Sequence, residues 1–236
     1  MALGILANSL VTLTASGNAE TPRRAWLLSG EPPDSGPGRW SRIRGVLPSQ
    51  VELGGPADAG RVVGELAAEL TRRRDEGGTG AAWFLVLDDL SRFRDLRKTD
   101  DEFGFGGFDR KETVSAAQQL NSLLKDGPAV GIHVIVWCDS YNNLERWFSR
   151  QTLREFEMRV LFPMGASDSS NLIDTPAASK LGVNRALLYS DERGTLEKFR
   201  PYGAPGDNWL RWMAQRYSGT SADLAVADDI SLFQVT

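Results

Sequence analysis

Two apolar runs that each close on an acid constrain this chain more than any other feature. Trp83-Phe84-Leu85-Val86-Leu87 leads into Asp88-Asp89, and Gly131-Ile132-His133-Val134-Ile135-Val136-Trp137-Cys138 leads into Asp139. Runs without polar alternation mark strands buried on both faces, as in a parallel sheet covered by helices. A helix-length segment separates them, which outlines a βαβ unit. Ligands of such sheets bind outside the carboxyl ends of the strands. Paired carboxylates there suit holding a metal ion and polarising a water. Acids at strand ends also cap helices and form turns, and packing alone explains two of them poorly.

The chain has 236 residues and a net charge of −4. That balance argues against a generally basic nucleic-acid coat and leaves room for a local basic patch. Cys138 is the single cysteine, which excludes an internal disulfide and fits a reducing, cytoplasmic compartment. His133 is the single histidine and lies inside an apolar strand. It reads as a core residue, and neither a histidine-rich metal site nor a Ser-His-Asp triad is expected. No stretch reaches the roughly 18 apolar residues of a membrane span. The apolar opening, residues 1–13, lacks the basic start of a signal peptide. It reads as a buried helix at the front of a domain cut from a longer one.

Strands and helices alternate along the chain. A helix is expected over 3–14 and a strand over 24–28. Residues 30–48, rich in Gly, Pro and Ser, read as an irregular loop. A short strand over 51–53 leads to a helix from Asp58 to about Arg74, with Val62, Val63, Leu66, Ala67 and Leu70 at helical spacing and Gly77-Gly78 stopping it. Residues 92–110, charged and glycine-rich, read as a loop. A helix over 114–125 precedes the second acid-tipped strand. One helix over 144–156, a strand over 158–162 and a short helix capped by Ser167 or Asp168 follow. Residues 185–189 and 196–200 flank Asp191-Glu192-Arg193-Gly194, a hairpin signal. Trp209, Trp212 and Met213 share one face of a last helix. The pattern is α/β: a mostly parallel sheet with helices on both faces and an antiparallel hairpin edge. It forms one domain over 1–217 with a tail at 218–236.

The ordered set of motifs resembles the motor domain of the FtsK/SpoIIIE DNA translocases, in the FtsK–HerA branch of P-loop ATPases. Residues 84–89 look like its Walker B strand. Leu123-Leu124-Lys125 and the strand from Gly131 look like the helix and sensor strand behind it. Arg159-Val160-Leu161-Phe162, then 168–174, then Lys180-Leu181-Gly182 look like the next strand and its following segment. The resemblance covers about residues 1–203. It implies a RecA-like three-layer fold, ATP and Mg²⁺ as cofactors, and a hexameric ring, or neighbouring ATPase subunits, that pumps double-stranded DNA. It implies that Asp88 holds Mg²⁺ through water, Asp89 orients the attacking water, and Asp139 stands at the sensor position. It makes Arg159 a finger for a neighbour's nucleotide. The parent protein of such a motor is in some cases membrane-associated.

This sequence departs from the family pattern in three places. Asp89 stands where glutamate is usual, and Asp139 where an amide or hydroxyl is usual. No Gly-x-x-x-x-Gly-Lys-[Ser/Thr] occurs, because none of Lys98, Lys111, Lys125, Lys180 and Lys198 follows a glycine. The chain therefore reads as beginning just after that loop, and alone it is expected to bind ATP weakly or not at all.

Several secondary signals carry two readings. Arg146, Arg150 and Arg154 recur every four residues, either as a DNA or subunit contact or as a solvated face partnered by Glu145, Glu155 and Glu157. Arg92, Arg94, Arg97 and Lys98, interleaved with acids, offer a further DNA contact. The glycine loop 54–60 imitates a phosphate cradle, but Asp58 opposes an anion and helix capping is the simpler role. Cys138 reads as a core residue. Trp40, in the loop, is a possible contact residue. Two other functions stay open: a metal-dependent nuclease or phosphoesterase in which Asp88 and Asp139 share an ion, and a non-catalytic RecA-like interaction module.

Overall fold

The computed structural model describes residues 2–15, 23–31, 40, 43, 46–48, 50–78, 80–98 and 114–217. The expected tail at 218–236, and the part of the charged loop at 99–110, lie outside the described residues. The order of elements is α1 (Ala2–Ala15), β1 (Arg24–Ser29), β2 (Val51–Gly54), α2 (Ala59–Asp75), β3 (Trp83–Asp88), α3 (Ala116–Asp126), β4 (Ile132–Trp137), α4 (Tyr141–Trp147), α5 (Arg150–Arg154), β5 (Met158–Leu161), α6 (Ala166–Ile173), β6 (Ala186–Ser190), β7 (Thr195–Phe199) and α7 (Asp207–Tyr217).

The first four strands form a parallel sheet in the order β2-β1-β3-β4. Alternation along β3 sorts its side chains between two layers. Leu85 and Leu87 join Trp26, Leu66, Leu120 and Trp147 beneath α2, α3 and α4. Phe84 and Val86 join Leu6, Leu10, Leu27 and Ile43 beneath α1, with Trp209 and Leu210 of α7 packed against them. The fold class read from the sequence, α/β with helices on both faces of a parallel sheet, is what the chain adopts. The hairpin β6-β7 pairs with β5 in a separate three-stranded antiparallel sheet rather than with the edge of the parallel one. Leu161 and Leu187 of that sheet pack against Ile173 of α6.

Four local expectations need correction. The single helix over 144–156 is two helices. Phe148 is extended, and Ser149 accepts the Thr152 amide at 3.1 Å as a fresh N-cap. The four-residue stripe is therefore broken: Arg146 lies on α4, and Arg150 and Arg154 on α5. All three are exposed, and among the described residues no ion pair joins them to Glu145, Glu155 or Glu157. The start of the loop expected from Arg92 falls in two 3₁₀ turns, Leu90–Arg92 and Arg94–Leu96, because Leu90, Phe93 and Leu96 recur every three residues and all are buried. Gly165, not Ser167 or Asp168, starts α6. Trp212 is 46 % exposed, so the covered face of α7 carries Trp209, Leu210 and Met213 instead.

Candidate functional site

The carboxyl edge of the parallel sheet gathers the ends of β1, β2, β3 and β4. The register places Ser29 of β1 beside Asp88 of β3. Asp88 follows Phe84 and Val86 on the α1 side and is 2 % exposed. Its Oδ2 accepts the Trp40 indole N–H at 2.7 Å and the Ser29 hydroxyl at 3.4 Å. Its carbonyl oxygen accepts the Gly30 amide at 2.8 Å. A carboxylate removed from water needs such donors, since burying one bare is far more costly than burying a neutral group.

Asp89 turns the chain away from the strand. Its φ of 66° is left-handed, a region aspartate tolerates better than most residues. Ser91 Oγ donates to Asp89 Oδ1 at 2.6 Å, and Arg92 Nε stands 3.5 Å from Oδ2. The second acid is thus folded into the turn that follows the strand. Gly30 makes room for that turn: a Cβ there would fall 2.7 Å from Arg92 Cγ and 2.9 Å from the Asp89 carbonyl oxygen.

Asp139 is exposed at the end of β4, the strand next to β3. Its Oδ1 accepts from Asn143 Nδ2 at 2.8 Å and from Ser140 Oγ at 3.3 Å. Asp88 and Asp139 therefore end neighbouring strands, yet their hydrogen bonds run to different partners. Among the described residues no group of three or more His, Cys, Asp or Glu could hold a metal ion.

The remaining positions have contacts of their own. Arg159 lies in β5, where it donates to the carbonyls of Leu172 at 2.6 Å and Leu153 at 3.1 Å and stacks 5.5 Å from the Tyr189 ring centre. In the glycine loop the Gly55 amide donates to Asp58 Oδ2 at 2.9 Å, so that N–H is not offered to an anion. Asp58 closes this turn; its side chain makes no capping bond to α2. His133 stacks on Phe84, with ring centres 5.4 Å apart, and burial together with the Arg23 charge lowers its pKa. Burial pushes the Cys138 thiol up to about 11.

Sequence reasoning missed Ser29 and misplaced Trp40. Trp40 is 5 % exposed and sits in the core on Asp88 rather than at the surface. A signal for it exists: Trp40, Ile43, Val46 and Leu47 are apolar at helix-like spacing within a Gly/Pro loop, and all four pack on the sheet.

Mg²⁺, which the resemblance to FtsK–HerA-type ATPases would imply, asks for hard oxygen ligands, and needs only one or two carboxylates when phosphates and waters complete its shell. The Asp88 carboxylate with the Ser29 hydroxyl beside it is a donor set of that kind.

Comparison with protein-family models finds no match, and comparison with curated protein sequences finds none. Solved structures do match. The chain is similar to the cytoplasmic domain of the Thermomonospora curvata type VII secretion ATPase EccC, with a TM-score of 0.56 and 14 % identity over 89 % of this chain. It spans 26 % of that protein's chain, about a quarter of its length. It is also similar to B204, the DNA-packaging ATPase from Sulfolobus turreted icosahedral virus, with a TM-score of 0.50 and 14 % identity over 76 % of this chain and 83 % of that one. At this identity the likeness shows a shared fold alone, the RecA-like α/β fold. No helix among the described residues is long and apolar enough to cross a membrane.

Proposed function

We propose that the chain is part of an FtsK–HerA-type motor, which couples ATP hydrolysis to movement of double-stranded DNA in a hexameric ring or beside neighbouring ATPase subunits. The observation that carries this reading is the Asp88-Asp89 pair at the carboxyl end of β3, between β1 and β4. The likeness to a secretion ATPase and a DNA-packaging ATPase supports it. The chain holds one His and no cluster of three metal-ligating residues among those described, so no specific observation favours the phosphoesterase alternative.

In this reading Mg·ATP, when bound, supplies the phosphoryl group and neutralises its charge. Asp88, with the Ser29 hydroxyl beside it, would hold the ion. Asp89 orients the attacking water once its carboxylate leaves Ser91 and Arg92. Asp139, held by Asn143, stands at the sensor position. Arg159 serves as a finger only in an assembly that releases it from the Leu153 and Leu172 carbonyls. Arg146, Arg150 and Arg154, exposed and without ion-pair partners among the described residues, are the cations offered to DNA phosphates. The domain runs over 1–217, 218–236 is a tail, and the cytoplasm is where it meets ATP.

The test compares Mg·ATP binding and hydrolysis by this chain with those of a longer chain carrying an upstream Walker A segment, each with and without double-stranded DNA. Hydrolysis by the longer chain alone, stimulated by DNA and abolished by Asp88→Asn, is the expected result. A longer chain that binds no ATP overturns the reading.

A further inference from the structure

The carboxylate that the proposed function assigns to a metal ion already has a partner inside the chain. Trp40 is held at three points. Its indole N–H donates to Asp88 Oδ2 at 2.7 Å, its amide donates to Glu31 Oε2 at 3.5 Å, and its ring is buried in the cluster with Phe84 and Val86. Ser29 links the two acids: its hydroxyl donates to Asp88 Oδ2 at 3.4 Å and accepts the Glu31 amide at 3.3 Å. The indole bond is short and ends on a carboxylate, the class of hydrogen bond roughly twice as strong as a neutral one.

Asp88 is 2 % exposed, so a cation reaching it must displace a neighbour. A donor hydrogen and a divalent cation seek the same lone-pair region of an oxygen. Mg²⁺ would sit about 2.0–2.1 Å from a ligating oxygen, or one water further away, and on Oδ2 at either distance it competes with the indole N–H for that oxygen. We propose that Trp40 and a divalent cation are alternative partners of Asp88. The indole holds the carboxylate oriented and dry while no ion is present, and loading the ion requires the indole to leave. Trp40 is in this sense a positioning residue, acting through Asp88. The inference rests on the reading of Asp88 as the metal-side acid.

The test needs neither nucleotide nor turnover. In the chain with ¹⁵N-labelled tryptophan, Trp40→Phe identifies the Trp40 indole signal, and Asp88→Asn is expected to shift that same signal upfield. In the uniformly ¹⁵N-labelled chain Mn²⁺ then serves as the affinity probe, followed through broadening of the Leu87 and Asp88 amides. Trp40→Phe is expected to bind Mn²⁺ about tenfold to a hundredfold more tightly than the parent chain, the value of a hydrogen bond to a charged group. Adding Asp88→Asn is expected to remove that site. In the parent chain the bonded indole signal is expected to move upfield in step with filling of the site by diamagnetic Mg²⁺, a readout that survives even if Trp40→Phe folds poorly. Equal Mn²⁺ affinity with and without the indole N–H, no Asp88-dependent site in either protein, or Mg²⁺ shifting the Asp88 amide with the indole signal unmoved would each overturn the proposal. A longer chain that bound no ATP would sink the motor reading and leave this result standing by itself.

Discussion

Arg73 is the buried cation of the described core, and removing it should be the most damaging single charge deletion in the chain. Its side chain is 3 % exposed. Nε donates to Glu69 Oε1 at 2.7 Å, one terminal nitrogen donates to the Val130 carbonyl at 2.8 Å, and the guanidinium lies 4.9 Å from the Trp83 ring centre. It therefore ties α2 to the turn before β4 and to the start of β3, at the edge opposite Asp88. Arg73→Met keeps most of the stem and deletes the charge. The lost bond to Glu69 is worth about 1.5–3 kcal/mol, and the Val130 carbonyl left unpaired costs about 1–3 kcal/mol more. Contact with the indole adds ~0.5–2 kcal/mol. Relief of guanidinium desolvation and the bonds that Arg72 keeps to Glu69 offset part of this. A net loss of about 3–5 kcal/mol, the usual cost of breaking a buried pair, is expected. Urea denaturation reads it as a lower midpoint at constant slope. Bonds from Arg72 and then Arg73 hold the Glu69 carboxyl at about 2 against an ordinary 4.5, with desolvation opposing them. A depressed acid stabilises above its unfolded pKa and loses that contribution as pH falls through its folded one. The parent should therefore lose stability between about pH 4.5 and 2, and Arg73→Met should lose less over that interval. A cost below about 1 kcal/mol, the range of exposed pairs, together with an unchanged acid limb, would refute the argument.

Three further outcomes follow from the same reasoning. Cys138, raised to about 11 by burial, should alkylate far more slowly with iodoacetamide at pH 8 than free cysteine does, and should accelerate only as pH approaches that value; rapid labelling at pH 8 would place it in a different environment. Gly4→Ala should destabilise by about 1–3 kcal/mol in a thermal melt, because a Cβ there would lie 2.1 Å from the Gly203 carbonyl oxygen, a backbone atom that cannot swing aside. Arg159→Ala should cost about 1–3 kcal/mol in urea even without nucleotide, since it strands the Leu153 and Leu172 carbonyls; a stable variant that lost only ring-dependent hydrolysis would favour the finger role instead.

The parts legible in the sequence were those whose physics is local. The apolar run of β3 needed only its own residues to declare itself buried, and the spacing of Val62, Val63, Leu66 and Leu70 declared the inner face of α2. What escaped was set by contacts between distant segments. Trp40 lies 48 residues from Asp88, and nothing in its neighbours' spacing says that its indole ends on that carboxylate. Ser149 restarts a helix with a single hydroxyl, a change too small to interrupt an apolar and charged periodicity that otherwise runs on. Arg73 resembles its neighbours Arg72 and Arg74 in sequence; only the packing of Trp83 and Val130 makes it buried while they are exposed.

β4 shows the same limit from the other side, and it yields a test. Its run Ile132–Trp137 is as apolar as β3, yet β3 is buried almost throughout and β4 is mostly half-buried. The difference is position: among the described residues β3 lies between β1 and β4, whereas β4 has one strand neighbour. The Trp83 amide donates to the Gly131 carbonyl while Trp83 pairs with Ile132. In a parallel ladder that register turns the amides of His133 and Ile135 toward β3 and those of Val134 and Val136 outward. Hydrogen exchange should therefore alternate along the strand, with His133 and Ile135 protected and Val134 and Val136 exchanging faster. An apolar edge without proline, bulge or charge is a ready template for another strand. Equal protection at all four amides would mean that a strand is already paired there, and the sheet would then be wider than four.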